Sequence, residues 1–138
     1  MSAFLTIEEL QSHIRIESIV AITRNDNAIA ESAIDAAIKE AKGYLTRYNT
    51  DLVFAATAEA RNNLLLIFVK DIAVWHLINI VNPNIDVKLR EKRYDRAIAW
   101  LKDVQKGNVD PDLPDSVAEG VNPAIARYGS EEKNSYIY

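Results

Sequence analysis

The stretch RNNLLLIFVKDIAVWHLINIVNP, residues 61–83, restricts the fold of this chain more than any other segment. It is apolar nearly all the way round a helical wheel, and a helix without a polar face needs burial on every side. That predicts a central helix enclosed by other helices and ended by Pro83, which has no N–H with which to continue the ladder. A bilayer-spanning helix does not fit, because Lys70, Asp71 and His76 interrupt the run of about 20 apolar residues that a membrane requires. An ionised side chain inside such a helix costs several kcal/mol unless it is paired. Asp71 is therefore expected to be tied by a polar partner, and Arg47, Tyr48 and Tyr44 are the expected partners.

The flanking segments are also helical. Thr6 followed by Glu9 in TIEELQSHI has the spacing of a capping box and predicts a short first helix. Ile16, Ile19, Val20 and Thr23 predict a second short helix, over about residues 16–24. From Asn27 or nearby, Ile34, Ala37, Ile38, Ala41 and Leu45 form one stripe of a long amphipathic helix, with Glu31, Asp35, Lys39 and Lys42 on the other face. Gly43 inside it costs about 1 kcal/mol relative to alanine, which a close helix contact would explain. NTDLVFAAT reads as a connection. After Pro83, Asn84 or Asp86 caps a last helix whose stripe is Val87, Tyr94, Ala97, Ile98, Leu101 and Val104, flanked by Trp100. Arg90, Lys92, Arg93, Arg96 and Lys102 fall outside that stripe. Gly107 is a left-handed stop, and Pro111 and Pro114 bar continuation.

The expected architecture is all-α: a compact bundle of about five helices with a long central buried helix, and an irregular C-terminal arm. The division falls between residues 1–107, a helical domain, and residues 108–138, the arm. A length of 138 residues, 49% hydrophobic, suits one domain with a sizeable core. Absence of cysteine removes disulfides, thiol nucleophiles and thiolate metal sites. Acidic residues follow the start MSAFLTIEEL where a secretion signal needs basic ones, so none is expected there.

Charge and motif spacing argue against several functions. Net charge is -4, and the basic residues concentrate in 86–106, where the run KLREKRYDRAIAWLK also holds Glu91 and Asp95 at spacings that allow intrahelical pairs. A DNA-associated or regulatory role using the face of residues 88–102 is the alternative reading, although a general nucleic-acid binder presents a wider positive footprint. No short glycine turn marks a helix-turn-helix, and no glycine-rich loop is present to cradle phosphate. His13 and His76 lack the spacing of a zinc helix motif, and no second carboxylate at helical spacing supports Asp71 as a catalytic acid. No catalytic residue, cofactor or metal is expected, and the chain is not expected to be an enzyme.

The arm is the least ordinary segment. Its prolines and glycines bar a long helix, yet it carries Val109, Leu113, Val117, Val121, Ile125, Tyr128, Tyr136, Ile137 and Tyr138. Disordered linkers seldom hold so much apolar surface. Two destinations are open: the arm folds back over the helices, or its aromatic end docks on another subunit.

Taken in order, FLTIEELQSHI, AIDAAIKEAKGYLTRYN, LLLIFVKDIAVWHL and REKRYDRAIAWLKDVQKGNVDPDLP resemble the Mu-like prophage gene product thirty-six family over about residues 4–114. The pieces that carry the resemblance are Tyr44, Leu45, Arg47 and Tyr48, the step Asp71-Ile72-Ala73, and Tyr94 to Leu101 followed by Lys106-Gly107. The resemblance implies a structural head-tail connector that assembles in a ring at the portal vertex of a phage or prophage particle. It implies partners in the portal, other copies of itself and tail-completion proteins, and proximity to channel DNA without sequence-specific binding. The expected location is the virion neck, reached from the host cytoplasm during assembly, with no membrane contact. Tyr128, Lys133, Tyr136 and Tyr138 are the expected partner-interface residues.

Overall fold

The computed structural model of the chain describes residues 4–14, 19, 20, 24, 26–79 and 87–116. These residues form four α-helices, α1 (Asn27–Tyr44), α2 (Thr50–Ala55), α3 (Asn63–Ile78) and α4 (Val87–Lys106), with short 3-10 helices at Glu8–Ser12 and Ala58–Ala60. The all-α expectation holds, with four α-helices among the described residues rather than about five. The expected first helix is a single 3-10 stretch of five residues. Most of the expected helix at 16–24 lies outside the described residues; within it, Ile19 and Val20 are helical. A further helix, α2, occupies part of the segment read as a connection, because Asn49 caps it by accepting the Leu52 N–H.

Local chemistry fixes the helix ends. Asp26 caps α1 through Ala28 N, and Asn62 caps α3 through Leu65 N at 3.0 Å. At the far end of α4, Gly107 N bonds to Val104 O and Asn108 N to Asp103 O, with Gly107 at φ +86°. This is a Schellman stop, and it needs glycine because a Cβ is disfavoured at that φ.

Helix α3 packs on α1 along one side and on α4 along another. Contacts between Phe68 and Trp100, Asp71 and Arg96, and Trp75 and Tyr94 run in opposite sequence order, so α3 and α4 are antiparallel. The core joins Leu65, Val69, Ile72, Ala73 and Leu77 of α3 to Ala37 and Ala41 of α1, Leu101 and Val104 of α4, and Phe4, Leu5 and Leu10 of the N-terminal segment. Burial of an apolar side chain of this size stabilises by about 1.5–3 kcal/mol, so these residues supply the main folding drive.

Four sequence expectations need correction. Helix α3 is not buried on every side, since Leu64 and Ile67 in its first two turns are 48% and 41% exposed. Val87 does not join the buried stripe of α4: with Tyr94 beside Trp75, the first turn of α4 runs past the end of α3, and no described helix covers it. Gly43 makes no close helix contact, because a Cβ built there meets nothing within 4 Å. Helix α3 also ends at Ile78, before Pro83, which lies outside the described residues.

Past Gly107, the first part of the arm returns to the helices. Asn49 N donates to Pro114 O and Ser116 N to Arg47 O, and an isolated bridge links Tyr48 to Asp115. Asn62 Nδ2 donates to Pro111 O at 2.9 Å, and Val109 and Leu113 pack against the core. Of the two destinations open to the arm, folding back applies to residues 108–116.

Candidate functional site

Among the described residues, three ties between elements centre on carboxylates. The first centres on Asp71, whose side chain is 1% exposed. Its Oδ1 lies 3.2 Å from His13 Nε2, and its Oδ2 accepts from Arg96 at 3.5 Å. The expected need for a partner is met by these residues, and not by Tyr44 or by the pair Arg47 and Tyr48. Those two turn to the arm instead: Arg47 O receives the Ser116 N–H, a Cβ on Gly107 would lie 3.4 Å from the Arg47 guanidinium, and Tyr48 pairs with Asp115. Burial raises the Tyr48 phenol above its ordinary range.

The Asp71 tie continues outward. His13 Nδ1 lies 2.9 Å from Ser12 Oγ, which also donates to Glu9 O and accepts from Lys70 Nζ at 3.0 Å. Serine, histidine and aspartate in sequence is the order of a nucleophile, its base and an orienting acid. Here the hydroxyl already donates to Glu9 O and accepts from Lys70 Nζ, and it sits on an exposed 3-10 turn. We read the chain of bonds as a fastener that holds the N-terminal segment on α3.

Glu9 anchors the second tie. Its Oε1 accepts from Thr6 N at 3.1 Å, from Thr6 Oγ1 and from Arg61 at 2.8 Å, while Arg61 also donates to Phe4 O and Ala58 O. The expected capping box thus forms in one direction only, with glutamate reaching back to the Thr6 N–H. The hydrogen bond from Arg61 pulls the Glu9 pKa down from 4.5 to about 2, against the upward pull of burial. In the third tie, Glu40 of α1 meets two helices at once: Tyr94 Oη donates to Oε2 at 2.6 Å and His76 Nε2 lies 2.7 Å from Oε1. Burial and that bond raise the Tyr94 phenol well above its usual value, so it remains a donor. Trp75 stacks on the Tyr94 ring at 5.6 Å, which closes the junction on its apolar side.

Both imidazoles thus contact carboxylates that join separate elements. Among the described residues, no group of three His, Asp or Glu side chains is placed to hold a metal ion. No described helix is long and apolar enough to cross a membrane. On α4, Lys88, Lys92, Arg96 and Lys102 are exposed beside exposed Glu91 and Asp95, whereas Arg90 and Arg93 are half-buried. Glu91 and Asp95 therefore interrupt the cationic face in the first half of α4. Tyr128, Lys133, Tyr136 and Tyr138 lie outside the described residues.

Sequence reasoning missed His13, Arg96, Arg61 and Glu40 as tie partners. The capping-box spacing flagged Glu9 alone, since a pair such as His13 with Asp71 leaves no periodic trace.

Comparison with known proteins gives a family model described as Bacteriophage Mu, Gp36, which matches residues 4–127. No curated protein matches, and no solved structure does. The match crosses the expected boundary at 107/108 and stops short of Tyr128, so residues 128–138 lie beyond the matched range.

Proposed function

Because this chain belongs to the bacteriophage Mu Gp36 family, we propose that it is a structural head-tail connector that assembles in a ring at the portal vertex and links the head to the tail. Its partners are the portal, further copies of itself and tail-completion proteins. It works in the virion neck after assembly in the host cytoplasm. Tyr128, Lys133, Tyr136 and Tyr138 make the contacts with those partners.

The observation that carries this reading is the family match over residues 4–127, beside a described helical body whose buried carboxylate is tied internally. A joint between two large assemblies needs a body that keeps its shape and a separate surface for its neighbours. Tyrosine suits the second task because it adds apolar area and a hydroxyl at low conformational cost.

Mass spectrometry of purified particles from an induced host tests the reading. The chain is expected to travel with capsid and tail proteins in a fixed ratio, and its absence from intact particles despite expression would refute the connector. The alternative role, DNA association through residues 88–102, predicts binding that weakens steeply with salt as phosphate contacts release counterions. Glu91 and Asp95, interleaved with those cations, weigh against it.

A further inference from the structure

The outer strip of α3 is unlike the rest of that helix. Leu64 and Ile67 stand exposed on successive turns, and Lys70 follows one turn later, half-buried, with its ammonium on Ser12 Oγ. Beside Ile67, the Phe68 ring carries the Arg96 guanidinium 5.5 Å from its centroid. The Arg96 side chain is 63% exposed and its single long contact with Asp71 leaves further N–H donors for another acceptor. The strip therefore presents an apolar floor with two cations at one end.

Residues 128–138, YGSEEKNSYIY, carry Tyr128, Tyr136, Ile137 and Tyr138 for the floor and, next to the single cation Lys133, Glu131 and Glu132 for the cations. They begin beyond the family match. The last described anchor before them is Ser116, held at Arg47 O. Residues 117–127 span at most about 40 Å when extended, roughly the diameter expected of a domain of this length. That reach is enough to carry the segment from one copy to the next.

We propose that residues 128–138 of one copy dock on the Leu64–Ile67 strip of a second copy, with the tyrosines over the leucine and isoleucine and Glu131 and Glu132 toward Lys70 and Arg96. The proposal rests on the connector reading, which supplies the adjacent copy. The contact joins two different surfaces, so it is head-to-tail, the kind that closes rings when the rotation between copies allows.

The chain contains no cysteine, which gives a clean background for crosslinking. Ile67→Cys and Tyr136→Cys are made as separate variants of the full chain, mixed and oxidised. A covalent heterodimer is expected from the mixture. The double variant at high dilution is the control, and a disulfide closing within one chain would overturn the proposal by placing the segment on its own strip. In sedimentation velocity, Leu64→Ser with Ile67→Ser is expected to weaken self-association of the full chain at least about tenfold with thermal unfolding unchanged. Unchanged association, or a wild-type chain that stays monomeric at every concentration, also overturns it. Particle content separates this contact from the connector reading: presence in particles without the crosslink sinks the contact alone, and crosslinking without incorporation sinks the connector alone.

Discussion

Replacing His13 by leucine should destabilise the fold far more than replacing its buried partner Asp71 by the same residue. Asp71 is 1% exposed at its side chain, whereas His13 is 14% and Arg96 63% exposed. Removing the imidazole leaves the carboxylate in the core with one guanidinium contact at 3.5 Å. Leaving a buried charge without its partner costs about 3–5 kcal/mol, and the remaining Arg96 contact puts His13→Leu near the lower end, about 3 kcal/mol. Asp71→Leu instead fills the site with apolar volume and frees two partners that already reach water. No buried carboxylate is left without a partner, so a smaller effect of about 1 kcal/mol in either direction is expected. For a chain of this length the unfolding entropy is about 0.3 kcal/mol per degree, so His13→Leu should lower Tm by about 10 °C. In the Asp71→Leu background the same histidine change should cost about 1 kcal/mol or less, because the carboxylate it contacts has gone. Calorimetry on the four proteins of this cycle measures both the single effects and their coupling. Additive single effects, or Asp71→Leu as the more damaging change, would refute the assignment of Asp71 as a buried charge that needs His13.

Glu9 has a folded pKa of about 2 against an ordinary 4.5, so its contribution is present above about pH 4.5 and lost as pH falls toward 2; Glu9→Gln should flatten that acid limb in pH-dependent denaturant melts. Gly107→Ala places a Cβ at φ +86° and 3.4 Å from the Arg47 guanidinium, and should cost about 1–2 kcal/mol in urea unfolding. Gly43→Ala, with open space around its new Cβ and helical backbone, should stabilise by about 0.5–1 kcal/mol in the same assay. Tyr94→Phe removes the 2.6 Å bond to Glu40 and should cost about 1–2 kcal/mol in chemical denaturation, with Trp75 fluorescence reporting the loosened junction.

The helical class, the extent of α1 and the stop at Gly107 are determined by the sequence alone. Each depends on residues three to four apart, on a cap one turn from its N–H, or on one residue's φ preference, all of which are local. The sequence also established that Asp71 needs a partner, since a carboxylate amid Phe68, Val69, Ile72 and Ala73 is costly wherever the chain runs. Which partner it takes was decided by tertiary structure. His13 and Arg96 lie 58 and 25 residues away from it along the chain, and only the packing of the 3-10 helix and of α4 against α3 brings them to the two carboxylate oxygens. The same holds for the bare strip at Leu64 and Ile67, which on a helical wheel look no different from Leu65 and Phe68. Their exposure follows from which faces of α3 are covered by α1, α4 and the N-terminal segment, a property of the assembled helices that periodicity along one of them does not encode.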